Sequence, residues 1–206
     1  MTAQRHVFSL FGIGCLTLAL GAAPPADNPG ADKPGPGKQM EGILANLPNA
    51  SEQEGEQIAS QLSGERAELQ RQLLLQLASP KSKHHQIVVV YLLGLYRMEG
   101  ATRDLASVIT LEAEATIHKR EALWDLYPAV EALARIGSPA VPVMIKKIET
   151  SGDKHEVELC VLVLRSVLGR SLAGHALEDA IAEQSDAARV KQLREAIESL
   201  KAKPPG

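Results

Sequence analysis

The chain has 206 residues, enough for one or two domains, and its 45% hydrophobic content suffices for a sizeable core. Aromatic residues make up only 3%, which argues against an aromatic-lined sugar site or a base-stacking surface and suits helices packed through Leu, Val, Ile and Ala. The 22 basic and 25 acidic residues leave a net charge of -3, so the chain carries no electrostatic footprint for nucleic acid.

At the N-terminus, Arg5 and His6 precede the apolar run VFSLFGIGCLTLALGAA, which ends in small residues before Pro24 and Pro25. A charged start, an apolar middle and a small-residue end match a secretory signal over 1–23, so the chain is expected to be exported, periplasmic or secreted. The run is short for a bilayer span, which needs ~20 residues. An uncleaved anchor is the alternative, and only then would the protein be held at a membrane. Gly14 before Cys15 resembles a lipoprotein cleavage site, but Gly12 stands where that site wants a branched apolar residue and the run continues past the cysteine. Cleavage near Ala23 removes Cys15 and leaves Cys160 as the remaining cysteine, with no intramolecular disulfide open to it. Residues 24–38, PPADNPGADKPGPGK, hold no large apolar side chain and read as a disordered Pro/Gly-rich tether. The folded domain is expected over 39–206.

Within that domain, 39–47 reads as a short helix halted by Pro48. Ser51 and Glu54 then form a capping-box pattern for a helix over 52–62, and 65–78 carries Leu69, Leu73, Leu74 and Leu77 at helical spacing before Ser79 and Pro80 close the hairpin. The run 84–98, HHQIVVVYLLGLYRM, contains Val88, Val89 and Val90, which favour strand by propensity. It is nevertheless too long for a typical strand, and a helix apolar nearly all round suits the middle of a helical stack. Gly94 permits close approach of a neighbouring helix, Gly100 supplies a turn, and 103–111 forms the partner helix with Leu105, Val108 and Ile109 inward.

Helix is expected again from about 117 to 136, with Pro128 either kinking it or starting a new helix after Tyr127. Ala129, Val130, Leu133 and Ile136 make one apolar stripe, Gly137 suits the helix end, Pro139 and Pro142 suit the first turn of the next helix, and Val141, Met144, Ile145 and Ile148 make a second stripe. A lone hairpin cannot bury two stripes, so it needs like neighbours on either side. The stretch ALARIGSPAVPVMI, 132–145, resembles the HEAT repeat, in the short HEAT-like version of phycobilin lyases. That resemblance implies an all-α fold, an α-solenoid of about four stacked hairpins, and turns recurring every roughly 30–40 residues agree with it.

Beyond this hairpin, Asp153 with Glu156 reads as a second capping box for a helix over 156–168 that Gly169 ends, followed by a helix over 173–183. Ser185 is expected to cap a last helix, 186–202, with Val190, Leu193, Ile197 and Leu200 inward and a polar outer face suited to ending the stack.

No catalytic constellation stands out. His84 and His85 are adjacent and point about 100° apart on a helix. His118, His155 and His175 lack the three- or four-residue spacing of a helical metal pair, so neither metal nor cofactor is expected. Glu112, Glu114 and His118 read as a solvated loop rather than an acid and base, and Cys160, in the apolar run ELCVLVL, reads as a small buried hydrophobe. The expected function is therefore a non-catalytic scaffold or adaptor that binds a protein or peptide, with an enzyme or pigment-lyase-like protein as the alternative from the repeat subtype. In HEAT-like arrays the second helices line the concave side. By resemblance the partner-binding face comprises Arg103, Asp104 and Ser107, then Lys146, Lys147 and Thr150, then His175, Glu178 and Asp179, all read as solvated.

Overall fold

The computed structural model describes residues 36–113 and 126–201. The expected signal segment, most of the expected tether, Glu114, His118 and the start of the helix expected from 117 lie outside the described residues. Among the described residues the chain is all-α, with no strand.

Helix α1 (Pro36–Leu44) begins three residues ahead of the expected start, because a proline fits a first turn whose amides have no helical partner. Pro48 then opens a 3-10 turn, Leu47–Asn49, and α2 (Glu52–Ser60) follows. Its capping box forms as expected: the Glu54 amide donates to Ser51 Oγ at 3.3 Å and the Ser51 amide to Glu54 Oε2 at 2.8 Å. Helix α3 (Arg66–Ala78) buries Leu69, Leu73 and Leu77.

Helix α4 (Lys83–Leu95) holds Val88, Val89 and Val90 fully buried, so packing on all sides overrides their strand propensity. A Cβ added to Gly94 would stand 2.5 Å from Ala132 Cα, so two helix backbones touch at this glycine. The turn after α4 falls at Gly100, as expected. Gly100 sits in a 3-10 turn, Glu99–Ala101, without a positive φ, and the left-handed residue is Arg97, at φ 47°. The Met98 amide reaches Leu93 O at 2.9 Å and the Arg97 amide reaches Gly94 O at 3.0 Å, the paired bonds of a Schellman ending, closed by the buried side chains of Leu93 and Met98. Arg66 reinforces the turn by donating to the carbonyls of Tyr96 at 2.7 Å and Arg97 at 2.8 Å.

Helix α5 (Thr102–Ser107) is shorter than expected, but Leu105 and Ile109 are buried and Val108 packs beside them. Helix α6 (Pro128–Ile136) starts afresh at its proline after a non-helical Tyr127, and all four residues of its expected stripe are buried. Gly137 takes φ 85° and ψ -138°, a region closed to side chains in practice. Helix α7 (Val141–Thr150) buries Met144 and Ile148.

Helix α8 (Lys154–Glu183) is broken at Gly169, whose φ of 77° and ψ of 163° separate two helical arms. The second arm resumes at once rather than at Ala173. The second expected capping box is incomplete, and one expected cap is replaced. Asp153 accepts from the His155 amide at 2.8 Å, but Glu156 does not reach back to complete a box; its carboxylate goes to Ser151 and Lys147 instead. Helix α9 (Ala187–Lys201) is capped by Asp186, which accepts from the Ala188 amide at 2.8 Å, and not by Ser185.

The helices pack in two files. Helix α4 lies on α6 and α6 on α8, while α5 lies on α7 and α7 on α8, with α9 covering α7 and α8. At the other end α1, α2 and α3 pack among themselves and onto α4, and one buried apolar cluster runs from Met40 to Leu200.

Candidate functional site

The second file, α5, α7 and the later arm of α8, presents its polar side chains outward because each helix turns one apolar stripe into the core. On α5, Arg103, Asp104 and Ser107 are exposed; on α7, Lys146 and Thr150; on α8, His175, Glu178 and Asp179. Lys147 is different. Its side chain is 19% exposed and its Nζ lies 3.0 Å from Glu156 Oε1, on the start of α8. Burial alone would raise the Glu156 carboxyl, but hydrogen bonds from Ser151 at 2.7 Å and from Lys147 outweigh it and hold its pKa below the usual glutamate value. Gln192 of α9 adds a 2.6 Å bond to the Ser151 carbonyl. Lys147 is thus a strut tying α7 to α8 rather than a solvated side chain.

Two open grooves flank α7. The groove between α5 and α7, about 460 Å³, brings together Arg103, Ser107, Lys146, Lys147 and Thr150 over a floor of Ala106, Pro142 and Val143. The groove between α7 and α8, about 450 Å³, brings Lys146 to Asp179 and adds Ile145, Glu149 and Glu183. Lys146 and Pro142 border both. Asp104, His175 and Glu178 line neither; His175 Nδ1 instead faces Glu178 Oε2 at 3.3 Å on the open surface. Sequence reasoning missed Glu149 and Glu183. Glu183 was within reach of it, since it stands four residues after Asp179 and so shares its helix face.

The candidates for chemistry have structural partners. His85 is buried; its Nδ1 accepts from the Lys81 amide at 3.1 Å, which leaves Nε2 to donate to Gln76 Oε1 at 2.8 Å. His84 Nε2 lies 2.8 Å from the Ala50 carbonyl. Burial pushes the Cys160 thiol up to about 12, so it stays protonated and unreactive at neutral pH. Glu112 accepts from Tyr127 Oη at 3.4 Å. Among the described residues, no group of three His, Cys, Asp or Glu side chains is placed to hold a metal ion, and no helix is long and apolar enough to cross a membrane.

Neither family models nor curated proteins match the sequence, and no solved structure matches the fold. The second-file face presents charged side chains, two hydroxyls and the apolar side chains of Ala106, Pro142 and Val143.

Proposed function

We propose that the chain is a HEAT-like α-solenoid that acts, after export, as a non-catalytic scaffold holding a protein or peptide partner along α5, α7 and the later arm of α8. The observation that carries this reading is the pair of grooves flanking α7 on one face, built from residues of three successive second helices. The two-file packing supports the repeat reading, since each hairpin buries its stripes against the next, as in arrays that present extended binding surfaces. Export rests on the charged, apolar and small-residue pattern of 1–23.

Capture from the exported fraction tests the proposal. Reversing Arg103 and Lys146 to glutamate is expected to leave the melting transition nearly unchanged, because both are exposed, and to weaken retention of the partner that the native chain holds. Lys154→Glu, on the exposed start of α8, serves as the control and should retain it. A bound pigment, or turnover of a small molecule, would favour a lyase-like enzyme and overturn the scaffold reading.

A further inference from the structure

The two grooves carry opposite charge, and although Lys146 pairs with Glu149 and Lys147 with Glu156, each groove keeps charge outside the fold's own ion pairs. Between α5 and α7, Arg103 has no ion-pair partner among the described residues, and Lys146 stays 62% exposed beside Glu149. Between α7 and α8, Asp179 and Glu183 stand one helical turn apart without an ion-pair partner among the described residues, while Glu149 is held by Lys146 at 3.0 Å. The two hydroxyls of the first groove have already given their protons away: Ser107 Oγ donates to the Asp104 carbonyl at 2.6 Å and Thr150 Oγ1 to the Lys146 carbonyl at 2.9 Å. They therefore offer lone pairs, which suit the backbone N–H groups of a bound chain.

From this arrangement we infer that the grooves form one docking surface for an extended peptide segment in which an acidic and a basic side chain stand three residues apart. The inference rests on the scaffold reading and specifies its partner. The acidic side chain seats between Arg103 and Lys146, and the basic one between Asp179 and Glu183, with the peptide crossing over Pro142.

The spacing follows from geometry. Packed helices lie ~8–10 Å apart, so side chains seated on either side of α7 must be separated by about that distance. In the polyproline II conformation, with a ~3.1 Å rise and three residues per turn, residues three apart project from the same side about 9 Å from one another. In a β-strand they would project from opposite faces.

Fluorescence anisotropy of the full chain with short labelled peptides tests this. A peptide with glutamate and lysine three positions apart should bind, more weakly as salt rises, and versions with two glutamates, two lysines or a spacing of four should bind about tenfold more weakly. Arg103→Glu and, separately, Asp179→Lys should each lower affinity for the mixed peptide about tenfold, with melting unchanged. Equal affinity for all the peptides, or indifference to both reversals, would overturn the inference. The scaffold reading fails separately. If no spaced-charge peptide binds but capture of the exported partner still depends on Arg103, the register is wrong and the face remains the docking site; if capture is indifferent too, both fall.

Discussion

His85 has both ring nitrogens committed, one as acceptor from the Lys81 amide and one as donor to Gln76, and burial followed by the nearby Lys81 and His84 charges holds its pKa below the ordinary histidine value. The unfolded chain therefore binds the proton first as pH falls, and stability must drop progressively below pH ~6.5. Urea melts at pH 7.5 and pH 5.5 should show this loss, and His85→Gln should reduce it; an identical loss in the variant would assign the effect to another group. Lys147 gives a second residue-scale expectation. Lys147→Ala should cost about 1 kcal/mol, because it strips a half-buried Glu156 of its cation, whereas Lys146→Ala should stay within about 0.5 kcal/mol. Equal losses in denaturant melts would contradict the strut assignment. Lys147 looked solvated from local spacing because Glu156 lies across the turn on the next helix, and no periodicity within α7 announces that partner. Ser51 with Glu54 and Asp153 with Glu156 carry the same local pattern. Only the first becomes a box, since the second glutamate has a stronger tertiary claim from Ser151 and Lys147.

Helix boundaries follow the same division between local and tertiary causes. The stripes of α6 and α7 were legible because an apolar residue at every third or fourth position has one physical use, and Pro128, Gly137 and Pro142 act on the backbone whatever surrounds them. The ending of α4 was not legible. Its left-handed residue is Arg97, and that conformation costs a side-chain-bearing residue about 1–2 kcal/mol, which the bond from the Met98 amide to the Leu93 carbonyl and the Arg66 bonds offset here. At the α4–α6 contact, Gly94→Ala should force the backbones apart and cost about 1–3 kcal/mol, while Leu133→Ala should leave a cavity costing about 2–5 kcal/mol. If Gly94→Ala proves neutral or stabilising in a thermal melt, the helices are not in backbone contact there.

Across the described residues the fold is all-helical with an aliphatic core, as the composition suited, while the walls of the grooves flanking α7 were legible in the sequence only in part. Subtracting the apolar stripes named Arg103, Ser107, Lys146, Lys147, Thr150 and Asp179, which line the grooves, together with Asp104, His175 and Glu178, which do not; it could not separate groove walls from open surface, because His175 and Asp179 share an exposed helix and only the packing of α7 on α8 makes one of them a wall. Export carries its own expectation: mass spectrometry of the secreted protein should find a mature start close to Pro24, and an intact Met1 would favour a retained anchor. The central claim is that a partner docks along the second file. Amide hydrogen exchange of the full chain, with and without the partner captured from the exported fraction, tests it most directly. Slowed exchange over Thr102–Ser107, Val141–Thr150 and the later arm of α8, with Lys83–Leu95 and Pro128–Ile136 unchanged, is the result predicted; protection confined to Lys83–Leu95 and Pro128–Ile136 would contradict it.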